Sequence, residues 1–83
     1  MRIQVRYFAS LREALGAAET VDAAEGSTVG QLRDALIARG AGHAQALARG
    51  RAVRTALDQV LCSETSPLRD GSELAFFPPV TGG

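Results

Sequence analysis

Residues 2–7, Arg-Ile-Gln-Val-Arg-Tyr, alternate without a break: Ile3, Val5 and Tyr7 fall on one side, Arg2, Gln4 and Arg6 on the other. A period of two is the mark of a β-strand with one dry face and one wet face. The dry face has to pack against something, and 83 residues leave room for only one small core. One segment is suited to cover it. In "GSTVGQLRDALIARG", Thr28 and Gln31 form a capping box, and Val29, Leu32, Leu36 and Ile37 share one helical face. Arg39 sits in the last turn and Gly40 just beyond it. The expected core is therefore a one-faced sheet under a helix spanning Ser27–Arg39.

The other segments fit around that core. "SLREALGA" predicts a short helix, with Ser10 and Glu13 as a second capping box, Leu11, Ala14 and Leu15 as its stripe and Gly16 as a left-handed stop. A weak strand is expected around Val21. "AGHAQALARG" predicts a helical turn or two between glycines, with His43 facing solvent at its start. "RAVRTAL" and "QVLCS" read as short strands joined by a tight reversal at Asp58-Gln59. Asp70-Gly71 is a further turn signal before the final strand "ELAFF". The expectation is a single α+β domain over residues 1–83, with four or five strands and one main helix. Its first and last strands should lie adjacent and parallel.

Composition excludes several classes of function. Nine Arg balance nine acidic residues, which points to no nucleic acid and no anionic membrane as partner. No apolar run approaches the roughly 20 residues of a membrane span. The N-terminus lacks the pattern of a secretion signal, so the expected location is cytoplasmic. One Cys and one His cannot build a structural zinc site, nor can one Cys hold an iron–sulfur cluster. Cys62, within Val60-Leu61-Cys62, reads as an inert, buried or half-buried thiol. The sequence contains no Lys, which removes Schiff-base chemistry.

The last eight residues, "FFPPVTGG", carry the strongest functional signal. Pro78 and Pro79 have no N–H to donate, so the sheet ladder must stop there. Together they form a stiff, extended spacer. Val80 and Thr81 can continue it as part of a tail from about residue 78. Gly82 and Gly83 bear no side chain, which suits entry into a channel too narrow for any Cβ. The carboxylate on Gly83 is unhindered, and such a group can be activated as an acyl adenylate. Strand parity adds a second feature. If Ile3, Val5, Tyr7, Leu74 and Phe76 point inward, then Phe8, Ala75 and Phe77 point outward, and Leu61 opposes Val60 and Cys62. Phe8, Leu61 and Phe77 would then form an apolar patch on an uncovered sheet face, the usual mark of an interface.

Three stretches resemble one family along the whole chain: "IQVRYFASLRE", "STVGQLRDAL" and the block Asp70, Gly71, Glu73 and Ala75 to Gly83. The chain resembles the small subunits of molybdopterin synthase, MoaD-type sulfur carriers with a ubiquitin-like β-grasp fold. Asp58 falls where an Asn-like turn residue would be expected. The resemblance implies a mixed sheet with one main helix on one face. It also implies a protein with no catalytic machinery and no permanently bound cofactor. An ATP-dependent activating enzyme, of the ubiquitin-activating type, would adenylate Gly83, and a sulfur donor protein would convert it to a thiocarboxylate. The loaded tail would enter the large catalytic subunit and pass sulfur to cyclic pyranopterin monophosphate, within a heterotetramer of two small and two large subunits. Gly82 and Gly83 would be the reactive tip. Pro78, Pro79, Val80 and Thr81, with Phe8, Leu61 and Phe77, would contact the partner. Other roles of the same tail stay open: a ubiquitin-like protein modifier, a sulfur carrier for thiazole synthesis, or an interaction module with a vestigial tail.

Overall fold

A computed structural model describes residues 1–79; Val80, Thr81, Gly82 and Gly83 lie outside the described residues. Strand β1 (Arg2–Tyr7) realises the alternation, with Ile3, Val5 and Tyr7 buried and their neighbours exposed. It is followed by α1 (Ser10–Leu15), β2 (Ala18–Asp22), α2 (Val29–Ile37), α3 (Ala41–Leu47), β3 (Arg54–Leu57), β4 (Val60–Cys62) and β5 (Glu73–Phe77). The five strands form one sheet in the order β2-β1-β5-β3-β4. β1 and β5 run parallel, with Val5 opposite Leu74 and Tyr7 opposite Phe76. The other pairings are antiparallel. This is the α+β, β-grasp arrangement expected.

The core lies between the sheet and α2. Val29, Leu32 and Leu36 of the helix pack with Ile3, Val5, Tyr7, Leu74 and Phe76 of the two central strands. Burying each such side chain contributes about 1.5–3 kcal/mol, which is why the capped helix and the alternating strands specify one another. Ile37 packs at the margin. The capping box at Thr28 and Gln31 is present, each side chain bonding the other's backbone N–H. The remaining free N–H groups of the first turn find partners in the loop after β4: Val29 donates to Ser66 O at 3.0 Å and Gly30 to Glu64 O at 2.9 Å. Glycine at position 30 permits this approach without displacing Glu64. A Cβ there would lie 3.0 Å from Glu64 Oε1 and 3.2 Å from its backbone oxygen.

Several expectations need correction. Ser10 does not cap α1. The N-cap is Ala9, no side chain accepts there, and the Leu11 N–H bonds Phe8 O instead, because the strand runs straight into the helix. Of "RAVRTAL" only Arg54–Leu57 is strand. Arg54 pairs with Phe77, the last residue before Pro78, so the ladder has no donor with which to continue. Helix α2 covers Val29–Ile37, two residues shorter at each end than expected. The Asp58-Gln59 reversal forms as expected with both residues at positive φ (48° and 69°), the geometry of a two-residue hairpin turn. Asp58 Oδ1 also accepts from the Glu73 N–H at 2.9 Å, tying the turn to β5.

A buried cation locks the segment between α3 and β3. Arg33, 3% exposed, donates from Nε to Leu47 O (2.9 Å), from Nη2 to Ala48 O (2.8 Å) and from Nη1 to Glu64 Oε2 (2.7 Å). Arg49 holds the other oxygen of Glu64 and reaches Asp34 and Gly30 O. Burial pushes the Glu64 carboxyl upward, but its bonds to Arg49 and Arg33 outweigh that and hold it below its ordinary value.

Candidate functional site

With the helices on one side of the sheet, the other side is uncovered, and its composition follows from the register. Arg6 lies opposite Ala75, Ala75 opposite Ala56 and Ala56 opposite Leu61, so these four cross the open face in one row. The next row is Phe77 beside Arg54, and Phe8 follows Tyr7 at the end of β1. Phe8, Ala56, Ala75 and Phe77, with Arg6, Gln59 and Glu73, line an open depression of about 440 Å³. Two alanines make a low floor and two phenylalanines make walls, so the hollow is apolar at its centre. Its rim is polar. Arg6 and Glu73 pair at 3.1 Å, and the Arg6 guanidinium lies 5.5 Å from the Phe8 ring centroid.

The expected patch residues thus stand as parity placed them. Phe8 is 38% exposed, Leu61 is 68% exposed, and Phe77 is half-buried in the wall of the hollow. Val60, expected to face inward opposite Leu61, is just as exposed as Leu61. β4 is an edge strand beyond the reach of α2, so neither side of it is covered at that position. Arg6, Ala56, Gln59 and Glu73 were missed as lining residues. The signal for them was cross-strand register, which alternation within single strands does not supply.

Pro78 and Pro79 are half-buried where the chain leaves β5. Pro79 lines a second, more polar depression of about 470 Å³ together with Arg54, Thr55, Leu61, Cys62 and Glu64. The Cys62 thiol is half-buried there, 3.5 Å from Thr55 Oγ1. The expected tip, Val80, Thr81, Gly82 and Gly83, lies outside the described residues. Among the described residues, no helix is long and apolar enough to cross a membrane, and no three His, Cys, Asp or Glu side chains are grouped to hold a metal ion.

His43 is not the solvent-facing residue expected. It is half-buried, and its Nε2 lies 2.7 Å from Glu19 Oε2, which also accepts from the Tyr7 hydroxyl at 2.7 Å. Arg39 reaches Glu19 Oε1 at 3.1 Å. Burial raises the Glu19 carboxyl, but the bonds from His43 and Tyr7 and the charge of Arg39 win and leave it below its ordinary value. With Glu19 ionised, His43 Nε2 carries the donated proton. Burial first, then the bond to Glu19, pushes the Tyr7 phenol far above its ordinary range, so it stays a donor. This cluster ties β1, β2 and α3 together on the helix side and takes no part in the open face.

An uncovered apolar hollow lies beside the point where Pro78 stops a central strand. Known proteins with the same build are informative here. Residues 5–83 match the ThiS family. Over 98% of its length and 99% of the relative's, the chain is 46% identical to the molybdopterin synthase sulfur carrier subunit of Escherichia coli strain K12. Among solved structures it is similar to the small archaeal modifier protein 1 of Haloferax volcanii (27% identity, TM-score 0.76, covering 95% of this chain and 98% of that one). It is also similar to a chain in the complex of subunits 1 and 2 of molybdopterin-converting factor from Helicobacter pylori (27% identity, TM-score 0.70, covering 100% of both chains). The chain is therefore a member of the ThiS family, of the kind that includes the molybdopterin synthase sulfur carrier subunits.

Proposed function

We propose that this chain is the sulfur-carrier subunit of a cytoplasmic molybdopterin synthase, loaded at Gly83 and docked through its open sheet face. The observation that carries the reading is the near-full-length 46% identity to a subunit of that name. The apolar hollow between Phe8 and Phe77, next to the Pro78-Pro79 exit, supports it from the side of geometry. The partner is the large catalytic subunit, in a tetramer of two small and two large chains. An activating enzyme of the ubiquitin-activating type uses ATP to convert the Gly83 carboxylate into an acyl adenylate, releasing pyrophosphate. A sulfur donor protein then replaces AMP with sulfur, leaving a thiocarboxylate. Inside the large subunit that sulfur passes to cyclic pyranopterin monophosphate, and two such deliveries complete the dithiolene of molybdopterin.

The chain itself binds and points. An acyl adenylate is hydrolysed by water that reaches its carbon, so it has to react in a closed pocket. A domain whose depressions beside Phe77 and Pro79 are both open to solvent has to borrow that pocket from a partner. The test is reconstituted synthesis started with thiocarboxylated protein. Deleting Gly83 withdraws the reactive carbon by roughly 3.3 Å, where misplacement by about 1 Å can already cost 100-fold. Gly82→Val widens and stiffens the tip. Both variants are expected to fold and to bind the large subunit yet transfer no sulfur; near-normal turnover by the Gly83-deleted chain overturns the reading. The likeness to a small archaeal modifier protein favours one alternative, conjugation of Gly83 to lysines of other proteins. Isopeptide-linked adducts of this chain in a lysate of its host would establish that role.

A further inference from the structure

The open face carries two arginines close to the aromatic walls, and their charges are handled differently. Arg6 is compensated within the chain by Glu73, at 3.1 Å. Arg54 stands beside Phe77 on the neighbouring strand and lines the depression that Pro79 borders. It is exposed, and among the described residues no carboxylate lies within 4.0 Å of it. The carboxylate lining that same depression, Glu64, is already held by Arg33 and Arg49.

If the proposed docking is right, a partner that encloses Phe77 and the chain beyond Pro79 also covers Arg54. A guanidinium stripped of water without an acceptor is strongly unfavourable. The described residues offer none that is free at that point, so we look to the partner for the acceptor. We infer that Arg54 is a specificity-determining residue of the docking face, and that the large subunit presents an Asp or Glu side chain to it beside the entrance that receives the tail. Arg is suited to this place: its planar fork meets a carboxylate through two parallel hydrogen bonds, which fixes direction as well as strength. The apolar hollow would supply adhesion, and the Arg54 pair would set the register in which the tail meets its channel.

The inference rests on the docking reading above, and the experiment separates the two. Binding of the purified large subunit is measured by surface plasmon resonance at low and high salt for the parent, Arg54→Gln, Arg54→Lys, Arg54→Glu and Phe77→Ala. Circular dichroism confirms the fold of each variant. Arg54→Gln is expected to weaken binding by about tenfold or more, and Arg54→Glu by about a hundredfold, the range for truncated or reversed interfacial charge pairs. Arg54→Lys should recover part of the loss. The gap between parent and Arg54→Glu should narrow as salt rises. Parent-like binding of Arg54→Gln and Arg54→Glu, with Phe77→Ala weakened, overturns the role of Arg54 alone. Parent-like binding of Phe77→Ala overturns the docking face and the inference with it.

Discussion

Replacing Arg33 with Met keeps most of the stem's volume and removes the guanidinium. Four acceptors then lose a donor: Leu47 O, Ala48 O, Arg51 O (at 3.4 Å) and Glu64 Oε2, of which Ala48 O keeps the Arg51 N–H at 2.9 Å. Leu47 O costs about 1 kcal/mol if water replaces the donor and up to about 3 kcal/mol if it stays dry, while Ala48 O and the long contact at Arg51 O add little. Glu64 keeps Arg49 and is about a third exposed (32%), so its share falls into the surface-pair range below about 1 kcal/mol. The sum is about 1–4 kcal/mol, a substantial part of the roughly 5–15 kcal/mol that holds a domain together. For a chain of this size that corresponds to a fall in Tm of about 4–30 °C. Thermal melts followed by circular dichroism measure it directly, and hydrogen exchange should show the loss centred on residues 47–51. Arg33→Lys should recover little, since one ammonium cannot reach four separated acceptors. A loss below about 1 kcal/mol for Arg33→Met would refute the reasoning, because it would mean that the carbonyls are wetted at no cost.

On the open face, Phe8→Ala and Phe77→Ala should each weaken large-subunit binding by about 1–4 kcal/mol, the range for aromatic anchors, as read by calorimetric titration. Phe8→Ala should leave the melting curve close to the parent's, since its ring is already more than a third exposed. Glu19 should give stability a specific pH dependence. Its folded-state carboxyl titrates below the ordinary 4.5, so its contribution is complete above that value and is lost as pH falls through the folded pKa. Glu19→Gln should therefore be less stable than the parent at pH 7 and lose less on acidification from about pH 5 to pH 3, as read by urea titrations at each pH.

The elements whose signals are local were legible in the sequence. The alternation of β1, the Thr28–Gln31 cap and the Asp58-Gln59 turn each depend on residues within a few positions of one another, and all three formed. Ser10 and Glu13 have the same spacing as a capping box, yet the Glu13 N–H already bonds Ala9 O, a fact set by how the strand enters the helix. Parity placed Phe8, Leu61 and Phe77 on the open face, but it could not show that Val60 lies beyond the helix that shields its neighbours. What the sequence concealed was long-range and polar. Arg33 looked like any charge on a helix, and His43 like a solvated cap. Their buried partners lie 14 and 24 positions away, reached only when the chain folds back.

The place of β5 in the sheet has a consequence for how the protein is made. The strand that finishes last in synthesis stands at the centre, between β1 and β3, and pairs with a strand begun some seventy residues earlier. While the chain is still being translated, β1 and β2 can form only a hairpin, and β3 and β4 another, each marginal by itself. The two halves of the sheet share no strand pairing until residues 73–77 leave the ribosome. Folding must then close a loop spanning nearly the whole chain, which is slow among domains of this size. A chain cut short before β5 lacks the strand that both halves of the sheet pair with, and proteases remove unfolded chains. Translation thus acts as its own inspection: the sheet closes only in a chain whose message was read through to β5.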